Sequence, residues 1–157
     1  MDPQPNQPDA GEYEKARASL LVRLREVNDL NSAGAVLGWD QTTVMPPGGS
    51  AARGRQMATL TRLAHEHFTD VAIGHLLDDL TPYAETLPYD HDDAALVRVT
   101  RREYERATRV PSEFMAQVAA HTATAYGAWT QARPANDFAS LIPALEETLR
   151  LSREYVR

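Results

Sequence analysis

The spacing of apolar residues constrains this chain more than any other feature. Steps of three and four recur along it, and no stretch carries a clean two-residue alternation over several residues. Leu20, Leu24, Val27 and Leu30 step by 4, 3 and 3, which keeps them on one face of a helix. Phe138, Leu141, Leu145 and Leu149 step by 3, 4 and 4 in the same manner. A half-buried strand needs a period of two, so this spacing predicts an all-α fold of six or seven helices in a single irregular bundle.

Turn-forming residues divide the pattern. Asn31-Ser32 reads as a cap or short break before a second apolar segment over 33–39. Met45-Pro46-Pro47-Gly48-Gly49-Ser50 ends that segment, because proline cannot continue a helix and paired glycines have little reason to. Ser50 is then read as the N-cap of a helix over 51–68, and Thr69-Asp70 as the cap of the next, which carries Ile73, Leu77 and Leu80. Thr81-Pro82 and Leu87-Pro88 bracket a loop. Asp90 or Asp92 caps a helix to about residue 109, Pro111 fits the first turn of one over 112–133, and Asn136 or Asp137 caps the last.

The 157 residues suit one domain, read as a helical domain over 12–157 behind a flexible Pro-rich tail over 1–11 that holds Pro3, Pro5 and Pro8. Sixteen Lys and Arg against 22 Asp and Glu give a net charge of −6, which argues against nucleic acid and anionic membrane as partners. The absence of cysteine excludes disulfides, thiolate zinc sites and cysteine nucleophiles. The N-terminus has no apolar leader and no run reaches the ~20 residues that span a bilayer, so the expected location is the cytoplasm.

Most candidate chemistry has a structural explanation. His65-Glu66-His67 contains the residue types of a zinc-peptidase helix, but that chemistry needs two His four apart, and residue 69 is Thr. Two positions apart is about 200° around a helix, so the two rings face different neighbours and do not close on one ion. Asp90-His91-Asp92-Asp93 offers oxygen and nitrogen ligands, yet acids also collect where a helix starts. Arg98, Arg102, Arg106 and Arg109 form a stripe at steps of 4, 4 and 3. It is read as a salt-bridged face with Glu103 and Glu105, with anion binding through Arg102 and Arg106 as the competing account. No metal ligand set, cofactor loop or catalytic residue emerges from these patterns. The stretch Trp39-Asp40-Gln41-Thr42-Thr43-Val44-Met45-Pro46-Pro47-Gly48 is more distinctive. Its residues predict a helix end in which Asp40 and Thr42 cap amides while Trp39 and Met45 anchor the turn in the core.

Leu37-Gly38-Trp39-Asp40, Thr43, Met45-Pro46, Gly49, Arg53, Gln56 and His65 together carry a resemblance to a known family. It continues through Gly74, Val97-Arg98, Arg101-Arg102, Tyr104, Val110-Pro111, Trp129, Ala132-Arg133 and Asp137-Phe138. In these residues and their order the chain resembles the carboxypeptidase Taq family of zinc metallocarboxypeptidases over nearly its whole length beyond the tail. The resemblance implies an all-helical protein with a deep groove, dimeric in many members, that removes C-terminal residues from peptides. It implies zinc held by the two His of a His-Glu-x-x-His helix and a later Glu, with the motif's Glu as general base. That helix belongs to a downstream region, and the last helix here runs to Arg157 without a stop signal. The expectation is therefore an N-terminal region whose partner is the missing C-terminal catalytic region. Alone it should be inactive, with zinc only in the full-length protein. Trp39, Asp40, Thr43, Met45, Pro46, Arg53 and Gln56 are the residues expected to line the substrate groove or to build its architecture. The competing reading is an autonomous, non-catalytic helical interaction module.

Overall fold

The computed structural model describes residues 10–156, and all regular structure among them is helical. Helix α1 spans Ala10–Thr43, a 3₁₀ turn spans Pro47–Gly49, and α2 spans Ser50–Phe68. Helices α3, Val71–Ala84, and α4, Asp92–Ala107, follow, then α5, Ser112–Ala132, and α6, Phe138–Tyr155. Of the expected tail, residues 1–9 lie outside the described residues, while Ala10 and Gly11 already belong to α1.

Several expected boundaries differ. Helix α1 is continuous through Asn31-Ser32, because two weak helix formers cost only about 0.5 kcal/mol each and nothing there removes a backbone donor. Ser50 has helical φ and ψ and follows the 3₁₀ turn directly, so it lies within the helix and is not its N-cap. Helix α3 continues through Pro82 to Ala84 where a loop was expected. The bond lost to proline falls in the last turn, and Leu80 and Ala84 bury on the face already set by Ile73 and Leu77. The cap of α4 is His91, whose Nδ1 accepts from the Asp93 amide at 3.2 Å, and neither Asp90 nor Asp92. Pro111 sits one residue before α5, as its N-cap. Asp70 and Asp137 cap α3 and α6 through the amides of Ala72 and Ser140. Asn136 takes φ 53°, a left-handed turn that Asn tolerates better than most residues.

The helices group into two compact units. The first comprises residues up to 28 and 66–109. Tyr13, Leu20, Ile73, Leu77, Leu80, Ala84 and Val97 form its core, with α3 packed on α4. Arg17 ties to Asp93 at 2.6 Å, so the acidic start of α4 serves an ion pair as well as the helix dipole. Gly74 is fitted to Tyr104, because a Cβ there would lie 2.8 Å from the Tyr104 hydroxyl and 3.2 Å from its ring. The ring is held edge-on to Phe68 with centroids 6.4 Å apart. Gly74→Ala would add about 1 kcal/mol of helix propensity but should lose about 1–3 kcal/mol to overpacking. Urea unfolding should therefore show net destabilisation, and a stabilised variant would refute this fit.

Tyr13 is buried against Tyr83, and its hydroxyl finds no hydrogen-bond partner among the described residues. Burial, and then the Asp93 carboxylate, push its pKa above the usual 10.0. A folded-state pKa above the unfolded one contributes stability below about pH 10 that is lost as pH rises through the folded value. Tyr13→Phe should match or exceed the parent by up to about 1 kcal/mol at pH 7, and hold a larger advantage at about pH 10.5. Urea midpoints at the two pH values check this. A variant weaker at both would show that the hydroxyl is satisfied in solution.

The second unit comprises residues 29–65 and 110–157. Small residues let α2 approach α5: a Cβ on Gly54 would stand 3.5 Å from the Ala120 carbonyl, and one on Gly127 3.2 Å from Ser50 Oγ. Helix α6 packs on α5 and buries Leu151, while Phe138, Ile142, Leu145 and Leu149 remain exposed on another face.

Candidate functional site

The distinctive segment ends α1 and leads into α2, and its centre is Arg53. This side chain is 8% exposed, low for an arginine, and each nitrogen of its guanidinium makes a hydrogen bond. Nη2 donates to the Asp40 carboxylate, Nη1 to the Leu37 carbonyl, and Nε to Gln56 Oε1 at 3.2 Å. A planar fork alone reaches three acceptors in such fixed directions, a geometry that the point charge of lysine does not reproduce. Asp40 therefore holds Arg53 and does not cap an amide. The amides of Val44 and Met45 are taken instead by the Asp40 backbone carbonyl, at 3.1 and 3.0 Å.

Thr42 and Thr43 both donate their hydroxyls to the Trp39 carbonyl, at 2.9 and 2.8 Å. Thr42 thus satisfies a carbonyl at the end of α1, not an amide. Met45 folds over Gly49, where a Cβ would meet its side chain at 2.9 Å. Pro46 is extended and leads into the 3₁₀ turn. Met45 is half-buried, but Trp39 is 64% exposed and anchors nothing in the core. Val36 and Val44, at 63% and 69% exposure, add to the apolar surface that Trp39 presents.

The structure thus unites Asp40, Arg53 and Gln56 in one network, puts Thr43, Met45 and Pro46 in the turn beside it, and turns Trp39 to solvent. Two bonds of the second unit had no sequence signal: Gln41, beside Asp40, donates to the Ala123 carbonyl at 2.9 Å, and His65 Nδ1, toward the far end of α2, pairs with Ser112 Oγ at 2.9 Å. Both join residues far apart in the chain, which local pattern does not report.

The family model described as carboxypeptidase Taq (M32) metallopeptidase matches residues 19–157. The chain belongs to this family. Thermostable carboxypeptidase 1 of Thermus thermophilus is 36% identical over 141 residues, which are 90% of this chain and 28% of that protein. The protein of the same name from Pyrococcus furiosus is 28% identical over 85% of the chain and 26% of its own length. The crystal structure of the M32 carboxypeptidase from Deinococcus radiodurans R1 superposes with a TM-score of 0.62 at 38% identity, covering 90% of this chain and 28% of the other. The crystal structure of BsuCP shares the fold with a TM-score of 0.83 at 23% identity, over 92% of this chain and 28% of that one. The chain therefore spans little more than a quarter of the M32 relatives it matches.

Zinc does not fit the residues seen here. Among the described residues no three His, Cys, Asp or Glu side chains are grouped to hold a metal ion. His65 pairs with Ser112, while His67 Nδ1 lies 3.6 Å from Glu26. In the run at 90–93, His91 caps α4 and Asp93 pairs with Arg17. Arg102 and Arg106 both pair with Glu103, at 2.9 and 3.6 Å, so the arginine stripe acts as a salt-bridged face there. Among the described residues no helix is long and apolar enough to cross a membrane.

Proposed function

We propose that this chain is the N-terminal groove-forming and scaffold region of an M32 zinc carboxypeptidase, which removes C-terminal residues from peptides. The hydrolytic centre lies outside these 157 residues, in a C-terminal region that also supplies the zinc ligands. The carrying observation is one of proportion. A match over residues 19–157 takes in nearly all of this chain but 28% of the Thermus thermophilus relative. In this reading the Asp40–Arg53–Gln56 network is architecture that fixes the end of α1 against α2, and Trp39 with Val36 faces the groove.

The test is to measure bound zinc and the release of C-terminal residues from a peptide by the 157-residue chain alone. Neither is expected above background. Stoichiometric zinc together with turnover would overturn the proposal.

The competing reading is an autonomous helical interaction module, and one surface separates the two by experiment. Phe138, Ile142, Leu145 and Leu149 give α6 an exposed apolar stripe, the kind of surface that marks a protein interface. A module should sediment as one defined species with a single cooperative melt. A scaffold region lacking its catalytic partner should associate with increasing concentration, and Leu145→Glu with Leu149→Glu should suppress that association.

A further inference from the structure

The first unit contains a cavity of about 450 Å³ between α3, the turn after it and α4, within the range of small-ligand sites. Its walls divide by chemistry. Leu87 and Val97 are apolar, Arg98 and Arg101 are cationic, and Glu85 is anionic.

Both arginines are held in place with donors to spare. The Arg98 guanidinium lies 3.9 Å over the Tyr89 ring and gives one N–H to the Tyr89 carbonyl at 3.1 Å. Arg101 gives Nη2 to Asp78 and Thr81 at 2.9 and 3.0 Å. Its Nε–H is buried and finds no partner among the described residues. Two guanidiniums that share a wall suit a carboxylate, to which arginine presents a planar fork. Glu85 adds an acceptor for a cation, and the apolar walls suit a hydrocarbon group.

We propose that this cavity binds a free apolar α-amino acid. Arg98 and Arg101 take its carboxylate, Glu85 its ammonium, and Leu87 with Val97 its side chain. The same carboxylate beside an apolar side chain also ends a peptide, but a peptide terminus offers no ammonium to Glu85. The site shares no residue with the Arg53 network and holds whether or not the carboxypeptidase reading does.

Calorimetric titration of the 157-residue chain with L-leucine, N-acetyl-L-leucine and L-leucinamide tests it. Leucine should bind saturably with a Kd of about 1 mM or below. Leucinamide, without the carboxylate, and N-acetyl-leucine, without the ammonium, should each bind at least about tenfold more weakly. Arg98→Gln should weaken leucine about tenfold, with an unchanged thermal melt because Arg98 is exposed. Glu85→Gln should weaken leucine and leave N-acetyl-leucine as it was. The proposal falls if leucine shows no saturable binding up to about 10 mM, if leucinamide binds equally well, or if Arg98→Gln changes nothing. Equal binding of N-acetyl-leucine would make a peptide terminus the ligand and overturn the assignment to a free amino acid.

Discussion

Arg53→Ala is expected to destabilise the second unit by about 2–4 kcal/mol. The guanidinium is buried and meets Asp40, Leu37 and Gln56 at once. Its loss leaves the Asp40 carboxylate, one-third exposed, without its partner and opens a void between α1 and α2. The partial exposure of Asp40 lets water recover some of that loss, which sets the estimate below the upper end for fully buried pairs. Arg53→Lys keeps the charge but not the fork, and should recover less than half of the difference. Trp39 and Trp129 both lie in the second unit, so tryptophan fluorescence during urea unfolding follows this part of the chain. A loss below about 0.5 kcal/mol for Arg53→Ala would show that the network is a surface contact without structural weight.

Leu77→Ala is expected to cost about 3–5 kcal/mol in the first unit. Its side chain is fully buried with Leu20, Ile73 and Leu80 in the core cluster of that unit. Truncation removes the transfer energy of the lost methyl groups and leaves a cavity that rigid neighbours on α3 and α4 close only in part. Leu76→Ala, one position along and only half-buried, should cost distinctly less. Circular dichroism during urea unfolding reports the loss. Equal effects at the two positions would mean that the first unit is loosely packed, without a specific core.

Much of this structure was legible from local pattern. The stripe at Leu20, Leu24, Val27 and Leu30, the caps at Asp70 and Asp137, and the stop ahead of Met45-Pro46 each depend on residues within a few positions of one another. Helix periodicity and capping are interactions of that range. The failures have physical causes as well. Asn31-Ser32 looks like a break although its local cost is small, and Thr81-Pro82 looks like one because propensity omits the burial of Leu80 and Ala84 that outweighs the lost bond. His91 is the cap in place of Asp90 and Asp92 because the helix starts at Asp92, which puts His91 at the capping position.

The candidate site shows the same division. Its membership was readable: Trp39, Asp40, Thr43, Met45, Pro46, Arg53 and Gln56 stand out together, and they carry the resemblance to the family. Their roles were not. Trp39 was expected in the core and is exposed, because an aromatic residue near a helix end fits either side until the neighbouring helix is placed. Asp40 was expected to cap amides and instead holds an arginine thirteen positions away.

By itself the sequence determined that the chain is helical, where most helices start and stop, and which family it belongs to. These rest on local backbone energetics and on residue identity, both carried by the chain as written. Only the tertiary structure decided which polar groups meet. It buried Arg53 against Asp40, joined His65 to Ser112, and set Arg98 and Arg101 on a common cavity wall while Arg102 and Arg106 turned to Glu103. Such pairings depend on how helices distant in sequence are brought together, and that is fixed by the mutual fit of whole faces rather than by any short run of residues.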